Sequence, residues 1–360
     1  MPKPAYELLY EKIRREILSG SYPPGSKLPG KRSLAEQNGV SVITVEHALE
    51  LLSEEGYVAL KERSGCYVIY HDTDTLPQKV NLPAVPMFTG YRSSADMDGF
   101  PFSVLARTMR RVLSDQGAHL LEKSPNQGIL FLRHALSRYL SRSRGISAAP
   151  EQIVIGAGAE YLYGLLTEML PKGRIWAIES PSYEKIEQVY SSRGIALDPL
   201  PLGQDGLVSE QLWRTEASIL HVSPYRSYPS DVSASASKRA EYLRWGEQPE
   251  RMIIEDDYES EFSVRRKPME PLFAQSSRGN VIYLNTFSRT ISSALRVGYM
   301  VIPSSLLPLY RSRVGFYSCT VPAFEQYVLS YLIDSGDFER HIRRVRRKLR
   351  ASVGGPDQRA

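Results

Sequence analysis

Cysteine is scarce in this sequence, and long apolar runs are missing from it. Its 360 residues include two cysteines, Cys66 and Cys319, which are too few for a disulfide framework or for a zinc site made from cysteine alone. We therefore expect two ordinary thiols in a cytoplasmic protein. No run of about 18 apolar residues exists, which excludes a transmembrane helix, and the first residues lack the apolar segment of a secretory signal.

The composition is that of an ordinary globular protein. Hydrophobic residues make up 42% and charged residues 24% of the chain, which excludes collagen-like, coiled-coil and wholly disordered proteins. The length favours two or three domains, with enough apolar material for a sizeable core.

The excess of positive charge lies in one short segment. The formal net charge is +5, but residues 340–350 carry seven lysines and arginines and no acid, so the rest of the chain is slightly acidic. The overall charge is therefore weak evidence for binding to nucleic acid. We interpret the basic segment mainly as the solvated face of a helix, with an arm that contacts phosphates as the alternative.

The first 70 residues predict three helices followed by a β-hairpin. Apolar residues at spacings of three and four predict a first helix that ends near Gly20. A short helix is expected at 33–37, and Ser41 is expected to be the N-cap of a third helix. Two short apolar runs on either side of residues 63–65 indicate a hairpin. This order of elements is that of a winged helix-turn-helix.

A recognition helix needs small polar residues at its N-terminus that reach base edges or phosphates. We predict that DNA is contacted by residues at the start of the second helix, at the start of the third helix and at the tip of the hairpin: Lys31, Arg32, Ser41, Val42, Ile43, Thr44, His47, Arg63, Ser64 and Gly65. Lys31 and Arg32 suit the phosphate backbone. A small helical domain with solvated charges is the alternative.

Four motifs in this segment resemble the DNA-binding domain of GntR-type regulators. They are LSG at 18–20, PPGSKLP at 23–29, KRSLA at 31–35 and the segment 51–57. The resemblance covers nearly all of residues 5–70 and implies binding to double-stranded operator DNA. The family often has arginines on the recognition helix, where this chain has Val42 and Glu46. Contact of Val42 or Ile43 with thymine methyl groups is therefore favoured over guanine readout.

The remainder of the chain predicts a linker and an α/β domain. Residues 71–100 contain several prolines and no periodicity, which is typical of a linker. Short apolar strands then alternate with segments of helix length, at 153–155, 174–178, 219–222, 252–254, 281–284 and 298–302. This alternation predicts a mostly parallel sheet. We assign residues 1–70 to the winged helix-turn-helix, 71–100 to the linker, 101–350 to an effector and dimerisation domain, and 351–360 to a disordered tail.

Five motifs of the second domain look like the fold-type I aminotransferase domain of MocR-type regulators, a subgroup of the GntR family. They are GAGAE at 156–160, ESPSY at 179–183, SPYRSYP at 223–229, IEDDYESEF at 254–262, and TFSRT with LRVGY between 286 and 299. With the N-terminal match, the resemblance covers most of the chain.

The resemblance implies a site for pyridoxal phosphate. Asp256 matches the carboxylate opposite the pyridine nitrogen, Tyr258 the partner of the ring hydroxyl, and Tyr183 the aromatic residue that stacks on the ring. The matching phosphate positions are Gly158, Ala159, Thr286, Ser288 and Arg296. Taken singly, each residue has a structural alternative, such as a strand-end cap, a core aromatic residue or an ion-pair partner.

Arg289 departs from the family pattern at the decisive position, because the family has lysine there. Lysine forms the Schiff base with the cofactor and moves the α-proton of the substrate, and both roles need a neutral amine. Arginine stays protonated. We therefore expect no transaminase activity, and at most non-covalent binding of pyridoxal phosphate or of its adduct with an amine.

Two further departures concern Asp231, where the family often has glycine, and the C-terminus. The domain is shorter than the family's version and is expected to lack the completed small domain, as a truncated sequence would. With these departures, the resemblance implies a homodimeric DNA-binding transcriptional regulator whose degenerate aminotransferase-like domain dimerises and senses pyridoxal phosphate, or its adduct with an amine, without a covalent bond. A small amine or amino acid is a candidate effector. The alternatives are a pyridoxal phosphate-dependent aminotransferase with an added helical domain, and a DNA-binding protein whose second domain is a decayed scaffold.

Overall fold

The chain divides into two compact units, Met1–Tyr91 and Arg92–Ala360. A computed structural model describes residues 4–61, 64–71, 99–258, 260–263 and 269–353. The predicted contact residue Arg63, most of the predicted linker (72–98) and residues 354–360 of the predicted tail lie outside the described residues. The domain boundaries given above remain predictions.

The N-terminal unit contains the predicted three helices and hairpin. Its elements are α1 (Ala5–Leu18), α2 (Lys31–Asn38), α3 (Val42–Glu54), β1 (Val58–Lys61) and β2 (Gly65–Val68). The two strands pair antiparallel, with Val58 opposite Val68. Helix α2 begins two residues earlier than predicted. Ser41 is the N-cap of α3, as predicted, because its side chain accepts a hydrogen bond from the Thr44 amide.

Apolar periodicity explains how this small unit folds. Ile13 and Ile17 of α1 pack in one core with Val45, Leu49 and other residues of α3, and all four are buried. Their spacing of four residues places each pair on one face of its helix. The opposite, polar face of α3 is therefore left on the surface.

The C-terminal unit is an eight-stranded sheet with helices on both faces. Its strands are β3 (Ile153–Gly156), β4 (Ile175–Ser180), β5 (Ala196–Gly203), β6 (Gly206–Leu207), β7 (Ile219–Val222), β8 (Met252–Asp256), β9 (Val281–Thr286) and β10 (Gly298–Val301). Its helices are α4 (Phe102–Gln116), α5 (Leu130–Arg144), α6 (Ala159–Met169), α7 (Glu184–Ser192), α8 (Ser209–Arg214), α9 (Ala236–Gly246), α10 (Leu272–Gln275), α11 (Leu307–Arg313), α12 (Ala323–Asp334) and α13 (Asp337–Val353).

The strand order is β3-β10-β9-β8-β7-β4-β5-β6. Strands β9, β8, β7, β4 and β5 run parallel, whereas β10 is antiparallel to both of its neighbours and β6 is antiparallel to β5. The mostly parallel sheet and all six predicted strands are confirmed. The parallel arrangement brings the carboxyl ends of β4, β7, β8 and β9 to one edge, where ligands bind in open α/β sheets.

Side chains alternate between two cores. Tyr283 of β9 packs into the core formed with α5 and α12, and the next residue, Leu284, packs into the core with α6 on the opposite face.

Two expectations about the second unit need correction. Strand β5 was not predicted, because Pro199 and Pro201 interrupt its apolar pattern. Proline has no amide hydrogen to donate to a neighbouring strand, and it is tolerated here because β5 pairs on one side with only the two-residue strand β6. Helix α13 continues to Val353, so the first three residues of the predicted disordered tail are helical.

Among the described residues, no helix is long and apolar enough to cross a bilayer.

Candidate functional site

The N-terminus of α3 presents a small polar and apolar surface. The Ser41 hydroxyl accepts a hydrogen bond from the Thr44 amide at 3.1 Å and lies 2.8 Å from the Thr44 hydroxyl. Val42 and Ile43 are 39% and 65% exposed, although both are apolar. His47, one turn further along, is also exposed and packs edge-on against the Tyr6 ring. The geometry leaves two aliphatic side chains available for contact with an apolar group.

The two basic residues at the start of α2 differ in their environment. The Lys31 ammonium lies 2.8 Å from a carboxylate oxygen of Glu46 on α3, so it already has an acidic partner within the unit. Arg32 is exposed and takes part in no ion pair within the described ranges. Arg32 is therefore better suited than Lys31 to contact an external phosphate.

The hairpin formed by β1 and β2 carries two of the predicted DNA-contact residues at its tip. Ser64 and Gly65 are exposed, and the Ser64 hydroxyl lies 2.9 Å from the Tyr67 hydroxyl. Gly65 has a φ of +119°, a conformation that residues with a Cβ rarely adopt, which explains why glycine occupies this tip.

A cavity of about 510 Å³ opens at the carboxyl ends of the parallel strands. Seven of the eight predicted cofactor residues line it: Ala159, Tyr183, Asp256, Tyr258, Thr286, Ser288 and Arg296. The eighth, Gly158, lies directly behind the wall, since a Cβ atom there would be 3.4 Å from a guanidinium nitrogen of Arg296. Arg289 also lines the cavity. Residues that are far apart in the sequence thus meet in one place.

Asp256 lies buried at the end of β8 and is held from behind. The Tyr163 hydroxyl donates a hydrogen bond to Asp256 Oδ2, and His221 Nε2 lies 3.6 Å from the same oxygen. Burial, together with the Asp256 carboxylate, raises the pKa of the Tyr163 phenol well above its usual range, so Tyr163 keeps its proton. Tyr190 Oη and His221 Nδ1 are 2.8 Å apart and complete this support.

The N-terminus of α6 and Arg296 form the corner that is predicted to hold phosphate. Gly158 caps α6 with a φ of +85°, and Arg296 has a φ of +47°, which is uncommon for a residue with a side chain. The Arg296 guanidinium is paired with the Glu160 carboxylate in the first turn of α6. Amide groups at a helix N-terminus and a guanidinium suit a phosphate, but one acid already lies there.

The mouth of the cavity has an aromatic and a charged side. The rings of Tyr183 and Tyr228 meet edge-on with their centroids 6.2 Å apart. Arg226 Nε lies 2.8 Å from Asp231 Oδ1, and its hydrogen bond lowers the pKa of the Asp231 carboxyl. Asp231 has a φ of +61°, which explains both why the family often has glycine here and why aspartate is accepted.

Comparison with known proteins identifies both units. The family model of bacterial regulatory proteins of the gntR family matches residues 5–68, and that of aminotransferase class I and II matches residues 93–209. The probable rhizopine catabolism regulatory protein MocR of Rhizobium meliloti is 31% identical over 96% of this chain and 74% of its own length. The HTH-type pyridoxine biosynthesis transcriptional regulator PdxR of Corynebacterium glutamicum is 30% identical over 95% of this chain and 76% of its own length.

The chain belongs to the MocR-type subgroup of the GntR family of transcriptional regulators.

Solved structures define the fold of the second unit of this MocR-type regulator. An archaeal alanine:glyoxylate aminotransferase matches with a TM-score of 0.62 at 23% identity, over 67% of this chain and 62% of that chain. LysN, an α-aminoadipate aminotransferase from Thermus thermophilus, matches with a TM-score of 0.61 at 26% identity, over 70% and 65% of the two chains. The match spans less than two thirds of each of these two enzymes, and the likeness confirms a fold-type I aminotransferase domain.

Sequence reasoning missed four residues that shape the site of this MocR-type regulator: Glu160, Tyr163, His221 and Arg144. Tyr163 is four residues after Ala159 on α6 and thus on the same face of the helix. His221 is a lone titratable residue in the apolar strand β7, which is the one local signal that indicated a role. Arg144 contacts Asp257, next to the predicted Asp256, through a pair that spans 113 residues of sequence.

Proposed function

We propose that this MocR-type regulator binds operator DNA as a cytoplasmic homodimer. We further propose that its second domain senses pyridoxal phosphate, or an adduct of it with an amine or amino acid, by reversible non-covalent binding. The observation that carries the second part is the single cavity lined by seven of the eight predicted cofactor residues and by Arg289. A symmetric dimer would present two winged helices to two half-sites.

The residues in the cavity fit the parts of the cofactor. Asp256, buried and held by Tyr163, suits the protonated pyridine nitrogen, and Tyr183 offers a ring face at the mouth. Arg296, Thr286 and the start of α6 suit the phosphate. When bound, pyridoxal phosphate supplies an aldehyde and an electron-withdrawing ring.

Because residue 289 is arginine, the proposed function does not include transamination. A guanidinium remains protonated near neutral pH, so it neither bonds to the aldehyde carbon nor accepts a proton. A ligand then influences operator affinity only if the free and DNA-bound forms of the protein bind it with different affinity.

Titration of the purified protein with pyridoxal phosphate tests this proposal. We expect a saturable change in absorbance that is lost on desalting and is not fixed by borohydride. Asp256→Ala should weaken the binding, whereas Asp205→Ala, which removes an acid outside the cavity, should not. Absence of any saturable change would show that the second domain is a scaffold and that DNA binding is the remaining function.

Replacing Arg32 tests the proposed DNA surface. Arg32→Ala should weaken operator binding by roughly tenfold and lower the salt dependence by about one phosphate contact, because a charged hydrogen bond to the backbone is lost. Arg15→Ala removes the same charge from an exposed position of α1 and should change the affinity less than about twofold. Fluorescence anisotropy with operator DNA at several salt concentrations measures both. Equal losses in the two variants would contradict a specific contact by Arg32.

Glu160 is expected to weaken phosphate binding. Its carboxylate is paired with Arg296 and so competes with a phosphate for the same guanidinium. Glu160→Gln removes this negative charge and should tighten binding of pyridoxal phosphate by about fivefold, which corresponds to about 1 kcal/mol for unit charges some 4 Å apart in water. Glu187→Gln, on an exposed position of α7 outside the cavity, controls for the change in net charge. Weaker binding by Glu160→Gln would mean that the acid orients Arg296 instead.

A further inference from the structure

We propose that the second unit has a DNA-binding surface of its own, which contacts the phosphate backbone of duplex DNA without reading its sequence. This surface, the basic face, consists of five arginines on three helices: Arg107 of α4, Arg142 of α5, and Arg340, Arg343 and Arg347 of α13. The inference rests on the proposed binding to operator DNA and adds a second contact surface to it.

Helix α13 holds three of these arginines in a row. Arg340, Arg343 and Arg347 follow one another at spacings of three and four, which places them on one side of the helix, and all three are exposed. The opposite side is packed, since Phe338 and Ile342 are buried in the core formed with α5 and α12. The row is therefore held on a fixed helix, whose apolar side is not available to lie in a membrane interface.

Arg107 joins this row through an acid that it shares with Arg340. The Asp337 carboxylate lies 3.7 Å from a guanidinium nitrogen of Arg107 and 2.8 Å from one of Arg340. The Asp337 side chain is 17% exposed, whereas those of Arg107 and Arg340 are 67% and 63% exposed. One negative charge thus lies beneath two positive charges, and the guanidinium groups are what the solvent meets.

Arg142 joins the row through a second shared acid. The Glu339 carboxylate lies 2.9 Å from a guanidinium nitrogen of Arg142 and 3.7 Å from one of Arg343, and it is the less exposed partner in both pairs. Because Asp337 and Glu339 are two residues apart, they lie on different sides of α13. The basic face therefore extends from the exposed row of α13 to α4 on one side and to α5 on the other.

The basic face keeps a net positive charge. Five arginines are opposed by the two shared acids, so three positive charges remain. The neighbouring pair between Arg138 and Asp334, at 2.7 Å, is balanced and changes nothing. A solvated helix face accounts for the charges on α13, but it does not account for arginines of three helices that meet at two acids. The arrangement fits a surface that contacts phosphates better.

The phosphate backbone of duplex DNA suits this face. Guanidinium groups bind phosphates through strong charge-assisted hydrogen bonds. The row from Arg340 to Arg347 covers about 10 Å of helix, and a DNA strand has one phosphate about every 3.4 Å along its axis, so the row matches about three phosphates. The first unit belongs to a DNA-binding family, so DNA bound there is present at a high effective concentration for a second site in the same chain.

Neutralising the row in the full chain tests the inference. The triple variant Arg340→Gln/Arg343→Gln/Arg347→Gln should bind a random-sequence duplex of about 60 base pairs at least about tenfold more weakly, and the slope of log affinity against log salt should fall by about three. Arg347→Glu alone leaves both shared ion pairs in place and should weaken binding by about fivefold. Fluorescence anisotropy at several salt concentrations measures both variants.

A second triple variant is the matched control. Arg214→Gln/Arg244→Gln/Arg311→Gln removes the same charge from exposed positions of α8, α9 and α11, outside the basic face, and should change the affinity less than about twofold. Equal thermal midpoints of all variants exclude a general loss of folding.

The outcomes separate this inference from the proposed function. If the unmodified chain binds no duplex DNA, the proposed function is itself wrong. If Arg32→Ala weakens operator binding while the Arg340/Arg343/Arg347 variant binds DNA like the unmodified chain, operator binding stands and the basic face is not a DNA surface. Equal losses in the two triple variants would reduce the effect to overall charge and overturn the inference. Loss of binding to polyglutamate with unchanged DNA affinity would assign the face to an acidic protein and would also overturn it.

Discussion

Arg289→Lys is expected to convert reversible binding of pyridoxal phosphate into covalent attachment. A lysine beside Asp256, Thr286 and Arg296 becomes a neutral amine when its pKa is depressed, and a neutral amine bonds to the aldehyde. The expected change is from no retained cofactor to nearly one cofactor per chain after borohydride treatment and desalting. Mass spectrometry of the intact chain measures it, and peptide mapping should place the modification at position 289.

A second arginine of the same cavity provides the control. Arg226 lines the mouth and is paired with Asp231 at 2.8 Å. Arg226→Lys introduces a lysine into the same cavity but away from the turn between β9 and β10, so it should retain no cofactor. If Arg289→Lys retains none while the unmodified protein binds pyridoxal phosphate, residue 289 does not face the aldehyde.

Local patterns were sufficient to predict most of the fold. The helices of the first unit and six strands of the second follow from periodic apolar residues, because burial of one helix face or one sheet face imposes that period. Strand β5 escaped prediction because its stability comes from pairing with β4 rather than from its own sequence, which contains Pro199 and Pro201.

The cavity could be predicted in part for a topological reason. Asp256 and Thr286 are the last residues of β8 and β9, and Tyr183 follows β4. Parallel strands bring such ends to one edge whatever their separation in sequence. The ion pair between Glu160 and Arg296 has no such signature. Its partners are 136 residues apart, and each looks like an ordinary solvated charge in the sequence.

The ion pair of Lys31 in the DNA-binding unit also has no signature in the local sequence. The sequence places a basic residue at the start of α2, which suits a phosphate contact. The acid that compensates it, Glu46, lies on the next helix, 15 residues away, and only the packing of α2 against α3 brings the two together. The motif therefore predicts the helix-turn-helix, but it does not indicate the ion pair between Lys31 and Glu46, and the DNA contact of Lys31 stays a prediction.

Arg144→Met is expected to cause the largest loss of stability. Arg144 ends α5, and its guanidinium lies 2.6 Å from Asp257 Oδ2, with side chains that are 2% and 0% exposed. The Tyr283 hydroxyl donates to the same oxygen at 2.5 Å. Removing the cation leaves a buried carboxylate without a counter-charge, which costs about 3–5 kcal/mol in comparable cases. Urea unfolding followed by tryptophan fluorescence measures the loss for the second unit alone, because all three tryptophans lie there.

The loss of stability in Arg144→Met should also depend on pH. The pKa values of Glu255 and Glu261 are raised to about 7, mainly by burial and in part by the Asp257 carboxylate, and the Arg144 guanidinium limits this rise. For carboxyl groups with raised pKa values, the folded state is favoured below the unfolded value of about 4.5, and this advantage is lost as the pH rises through 7. Without Arg144 these pKa values rise further. Arg144→Met should therefore lose more stability at pH 8 than at pH 5.5.

Two variants separate this mechanism from a general packing defect. Arg142→Met lies on the same helix and removes an arginine that is 54% exposed and paired with Glu339 at 2.9 Å, so it should cost less than about 1 kcal/mol. The double variant Arg144→Met/Asp257→Asn removes both buried charges and should lose clearly less stability than the sum of the two single variants. Additive losses, or a loss that is the same at pH 5.5 and pH 8, would show that Arg144 supports the end of β8 by packing rather than by its charge.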